Sequence, residues 1–141
     1  MTISLDQANA VIAAALAEAG RLGLKPLAVV VLDAGGHLVA CQRQDGASSG
    51  RVQVAMGKAG GALFMGMSSR SIATVAQERA AFVASLGPIA PNGLVPAAGG
   101  VLAVDAGRTV IGAVGISGDT SDNDEACALA GMAAAGLSPG P

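Results

Sequence analysis

Aromatic side chains are nearly missing from this 141-residue chain, which has no Trp, no Tyr and two Phe, Phe64 and Phe82. Positive charge is equally thin, with eight Lys and Arg against ten Asp and Glu and a net charge of −2. Nucleic-acid binders rely on a basic footprint and usually on aromatic stacking platforms. Neither is available, so nucleic acid is excluded as a partner. Histidine is scarcer still, and the single His37 cannot build a multi-histidine zinc site within one chain. The two cysteines, Cys41 and Cys127, lie in different predicted elements and form no C-x-x-C pair. They read as buried free thiols. Met1 leads into Thr2-Ile3-Ser4 without the basic start and apolar core of a secretory signal, so a reducing cytoplasmic location is expected. The charge-free stretch from Arg79 to Asp105 is broken by Pro88, Pro91, Asn92 and Pro96. It cannot be one membrane-crossing helix, and no membrane partner is expected.

What is abundant is small and apolar. Hydrophobic residues make up 52% of the chain and charged ones 13%, which excludes a disordered chain. So much apolar surface on so little charge points to association with further copies, as a dimer or larger assembly. Length fits one domain, expected over 1–136, with 137–141 as a flexible tail.

Ser4 and Gln7 have capping-box spacing, and Ala8, Val11, Ile12, Ala15, Leu16 and Ala19 follow at helical intervals. Gly20 and Gly23 end that helix. The run Leu27 to Leu32 suits a strand buried on both faces, Asp33-Ala34-Gly35-Gly36 a turn, and His37 to Arg43 the returning strand. Ser48 or Ser49 caps a second helix through Phe64, whose many Gly and Ala residues allow close backbone approach. Ser68 and Ser69 can cap a third, over about 71–84. The prolines of 88–96 impose an irregular segment, and a long ordered loop is often functional. A second hairpin turns at Asp105-Ala106-Gly107-Arg108, and a last helix runs from about 120 to 135. Two hairpins among helices give an antiparallel sheet and an α+β fold, not a doubly wound one.

Several residues are candidates for chemistry. Asp119, Asp122, Asp124 and Glu125 follow a Gly-rich turn at the start of the last helix, where carboxylates complement the helix dipole. Capping is the favoured role for Asp122 and Asp124, and the spacing fails the calcium-loop pattern. His37, after the Gly-Gly turn, reads first as an exposed imidazole. A lone histidine can also pair with its symmetry mate or bind a haem iron, non-covalently, since no Cys-x-x-Cys-His motif exists. Lys58, on a nearly uncharged helix, reads locally as a snorkelling surface lysine; burial would instead make it a nucleophile or base. Arg43, Asp45 and Arg51 bracket the hairpin exit and can bind an anion or pair with each other.

Taken together, the segments Val29 to Ala40, Asp45-Gly46-Ala47, Lys58-Ala59, Gly99-Gly100-Val101, Val110 to Gly118, Asp124-Glu125 and Ala130-Gly131 resemble the GlcG/HbpS-like family, which includes the C-terminal domain of PduO-type proteins. The resemblance spans nearly the whole chain. It implies a profilin-like fold, with a five-stranded antiparallel sheet and helices on both faces, and homo-oligomers. Family members bind haem, are implicated in iron and redox sensing, or accompany glycolate, propanediol, glycerol or cobalamin metabolism. This chain departs from the pattern at Cys41 to Gln44, where the family has an aromatic and a Met, and at Leu102, where it usually has a proline.

Three functions follow as expectations. The first is a small-ligand-binding protein, with haem or a related tetrapyrrole as the ligand and cofactor. The second is an isomerase, lyase or hydrolase acting on a carboxylate or hydroxycarbonyl metabolite. The third is a regulatory or structural oligomer. The candidate catalytic residues are Lys58 and Asp45. The candidate ligand-binding residues are Arg43, Arg51, His37, Gly99, Gly100, Ser117, Gly118 and Asp119, and no metal is assigned.

Overall fold

A computed structural model describes all residues from Met1 to Pro141. Helix α1 (Leu5–Leu22) starts with the predicted capping box: Ser4 Oγ accepts from the Gln7 amide, and Gln7 Oε1 accepts from the Ser4 amide. It ends at Gly23, whose φ of 66° closes the helix in the left-handed conformation. Strands β1 (Ala28–Asp33) and β2 (Leu38–Arg43) form the first hairpin. Helices α2 (Gly50–Met65), α3 (Ser69–Glu78) and α4 (Ala80–Leu86) come next. After the loop 87–99 the chain forms β3 (Gly100–Val104), β4 (Val110–Ser117), α5 (Ser121–Ala134) and β5 (Ser138–Pro139). The sheet order is β2-β1-β4-β3-β5, antiparallel throughout. This is the profilin-like α+β arrangement the family resemblance implies.

Side-chain alternation assigns the two faces. Val29, Val31, Val101, Val114 and Ile116 point to one side, where Val11, Ile12 and Ala15 of α1 and Ala128 and Met132 of α5 cover them. Val30, Leu32, Leu102 and Ala113 point to the other, against Ala55, Ala59 and Ala62 of α2. β1 is thus buried on both faces, which is why its sequence is a continuous apolar run. The Ala residues of α2 let it lie close on the sheet, and glycines of β3 and β4 make room for its backbone. A Cβ at Gly115 would lie 2.1 Å from the Ala55 carbonyl oxygen, and one at Gly100 would lie 2.2 Å from that of Lys58.

Two expectations are corrected here. The helix expected over about 71–84 is two helices, because Arg79 leaves helical geometry at φ −133°, ψ 57°. Its guanidinium lies 4.2 Å over the Phe82 ring, a cation–π contact that spans the break. The tail expected to be flexible over 137–141 is seated instead. Leu137 is buried, Ser138 and Pro139 pair with β3, the Gly140 amide donates to the Leu102 carbonyl, and the Pro141 carbonyl accepts from the Ser68 amide.

Candidate functional site

The residues singled out from the sequence fall into three places, not one. The first is interior. Lys58 of α2 is 3% exposed and Asp124 of α5 is 1% exposed. Lys58 Nζ donates to Asp124 Oδ2 at 3.1 Å and to the Ile116 carbonyl at 3.0 Å. Asp124 Oδ1 accepts from the Asp119 amide at 3.0 Å. The local reading of Lys58 is therefore corrected, since it does not snorkel; Asp124 stands in the first turn of α5 as expected but is also the lysine's counterion, while Thr120 caps the helix by accepting from the Asn123 amide. Gly99 and Gly100 leave room for this lysine, since a Cβ at Gly99 would stand 2.9 Å from Nζ. Ser69 Oγ accepts from the Gly100 amide at 2.7 Å. Lys58 lines none of the surface clefts.

Around this pair the other polar candidates tie elements together. Buried Ser117 Oγ accepts from Arg51 Nη1 at 3.2 Å. Gly118 lies where a Cβ would be 2.3 Å from the Pro26 carbonyl oxygen. Asp119 accepts from Asn123 Nδ2 and from the Lys25 and Thr120 amides at 2.8 to 3.0 Å. These bonds, that from Asn123 foremost, hold its carboxyl down to about 2. Burial raises the Cys127 thiol to about 11 and also raises Cys41, so both are poor nucleophiles at neutral pH.

The second place is a surface cleft of about 470 Å³ lined by Leu16, Leu24, Pro26, Gln42, Arg43, Gln44 and Asp45. Arg43 Nη1 donates to the Ala47 carbonyl at 2.7 Å, which fixes the guanidinium and leaves its other donors unspent. Arg43, Asp45 and Arg51 form no ion pair with each other.

The third place holds the only histidine. A cleft of about 360 Å³ lies between the β1–β2 turn, α2 and the proline-rich loop, with His37, Gly60, Leu63, Phe64, Pro91 and Asn92 among its walls. The turn is set by Asp33, whose Oδ1 accepts from the Gly35 and His37 amides, both at 2.9 Å. The same oxygen lies 3.4 Å from His37 Nδ1, and the imidazole is 82% exposed. With the carboxylate near Nδ1, Nε2 is the ring nitrogen left clear to bind a ligand. Phe64 and Asn92 were not among the predicted site residues. Phe64 carries a readable signal, as one of two aromatics in the chain, but its proximity to His37 depends on how α2 crosses the sheet.

No helix is long and apolar enough to cross a membrane, and no three His, Cys, Asp or Glu side chains converge as a metal cluster. The family model for the haem degrading protein HbpS-like matches residues 3–133. Among solved structures, a complex of PduOC with heme is 25% identical, with a TM-score of 0.88 over 100% of both chains. HbpS is 28% identical, with a TM-score of 0.80 over 94% of this chain and 89% of that one. Protein ORFY from Klebsiella pneumoniae is 26% identical, with a TM-score of 0.85 over 96% and 92%. No curated protein matches the chain significantly.

Proposed function

From its place in the HbpS-like family, to which this chain belongs, we propose that the protein binds haem or a related tetrapyrrole non-covalently in the His37 cleft. The observation that carries this reading is the company His37 keeps. The one imidazole of the chain stands in a cleft with the exposed ring of Phe64 and with Leu63 and Pro91. A flat apolar ligand needs apolar walls and few polar anchors. The donor set fits the group: His37 would hold the iron, Asp33 would orient the imidazole through Nδ1, and Phe64, Leu63 and Pro91 would face the macrocycle. Bound haem would supply a redox-active iron. The solved PduOC structure is itself a heme complex, which supports the same ligand class here.

Haemin added to the purified protein is expected to give a saturable shift of the Soret band that His37→Ala abolishes. An identical shift in the His37→Ala variant overturns the assignment of His37.

A second reading rests on the Arg43 cleft. There Arg43 would orient a carboxylate and Asp45 would handle a proton, as an isomerase, lyase or hydrolase of a small carboxylate or hydroxycarbonyl metabolite requires. Lys58 contributes least to this reading, because two of its donors are spent and it opens on no cleft. Self-association accompanies both readings, since the His37 cleft is open and its neighbour Leu38 is exposed.

A further inference from the structure

The loop 87–99 lies along α2 where that helix has no side chains. Gly57, Gly60 and Gly61 share one helix face by their i, i+3, i+4 spacing. A Cβ at Gly57 would come within 2.7 Å of Val95 Cγ2, one at Gly60 within 2.5 Å of Asn92 Cβ, and one at Gly61 within 3.2 Å of Leu94 Cγ. The Val95 amide also donates to the Gly57 carbonyl at 3.2 Å. The glycine stripe is therefore a seat for the loop. From that seat Asn92 Nδ2 donates to the Gly36 carbonyl at 2.8 Å, across 56 residues of sequence. Gly36 is the residue before His37, and its φ of 83° places it in the tight part of the turn. Asn92 also lines the same cleft as His37.

We infer that Asn92 is a positioning residue for the His37 cleft: its carboxamide clamps the Gly36 carbonyl, and so sets where His37 stands relative to Phe64 on α2. The inference rests on the haem reading for its ligand but not for its geometry. Asp33 holds the hairpin tip only from within the hairpin, through the Gly35 and His37 amides. Asn92 supplies the side-chain bond that references the tip to the other wall of the cleft. Gly60 belongs to the same device, because a methyl group there would displace Asn92.

The test uses Asn92→Asp, which keeps the shape and removes the donor, beside Asn92→Ala. Amide exchange at Gly35, Gly36 and His37, measured without haemin, reads how firmly the turn that the clamp holds stays closed. It is expected to be about tenfold faster in both variants, the factor one ordinary hydrogen bond carries. With haemin, affinity is expected to fall about tenfold and the Soret maximum to move toward that of His37→Ala. A merely structural role would lower the urea midpoint without moving the Soret maximum of the folded protein. Unchanged exchange overturns the inference, and so does a wild-type Soret spectrum and affinity in both variants. If the wild-type protein itself gives no His37-dependent Soret band, the haem reading fails, and the exchange measurement alone decides the clamp.

Discussion

An ammonium and a carboxylate lose several kcal/mol of hydration each when buried, and only close pairing with further hydrogen bonds offsets that loss. Lys58 and Asp124 meet this condition through each other, the Ile116 carbonyl and the Asp119 amide. Their pairing joins the middle of α2 to the start of α5 across the end of β4. Taking away one partner strands the other. Lys58→Met is expected to destabilise the fold by about 3–5 kcal/mol, whereas replacing both residues by apolar ones restores most of that. Urea unfolding of the single and double variants measures it; a loss below about 1 kcal/mol in the single variant contradicts the account. The pair also marks a limit of reading by neighbours. Ser4 and Gln7 announce their capping box because partner and partner lie three residues apart. Lys58 and Asp124 are 66 residues apart, and each alone has a more ordinary explanation. Asn92 and Gly36 are hidden for the same reason.

Elements were legible where the chain punctuates itself. The turns at Asp33-Ala34-Gly35-Gly36 and Asp105-Ala106-Gly107-Arg108 separate apolar runs, and both hairpins form there, with Asp33 accepting from the Gly35 and His37 amides and Asp105 from the Thr109 amide. The break at Arg79 has no such mark, since Glu78-Arg79-Ala80 are ordinary helix formers and the cation–π partner Phe82 is visible only in three dimensions. The last strand is hidden by composition: Gly136-Leu137-Ser138-Pro139-Gly140-Pro141 reads as coil, yet β5 needs only two paired residues and lies at an edge, where proline is tolerated. Removing 137–141 takes away the buried Leu137, the Gly140 bond to Leu102 and the acceptor for the Ser68 amide. The expected cost is at least about 2–4 kcal/mol, from the Leu137 side chain and these two hydrogen bonds before the β3–β5 pairing and the Leu137 amide bond to the Met132 carbonyl are counted. Thermal unfolding of the shortened chain checks it, and an unchanged midpoint would show that these contacts contribute nothing.

At the scale of the whole molecule the two sheet edges differ. The β3 edge is covered by β5, while β2 pairs only with β1 and leaves its outer row of backbone groups unpaired. Natural edge strands are usually guarded by lysine, proline or a covering segment. The sequence Leu38 to Arg43 has no lysine or proline, and Leu38 is 55% exposed. With a net charge of −2, long-range repulsion between copies is weak. Association through this edge is therefore expected, and sedimentation velocity should show a dimer or larger species that Leu38→Lys converts to monomer. His37 immediately precedes Leu38, so ligand and partner would meet at one end of the sheet. Linkage then requires that a ligand favoured by the assembled state strengthen assembly by the same factor that assembly strengthens its binding. Haemin is thus expected to shift wild-type protein toward the larger species and to bind Leu38→Lys more weakly. A wild-type chain that sediments as a monomer with and without haemin separates the cleft from the edge and leaves β2 as an unused strand.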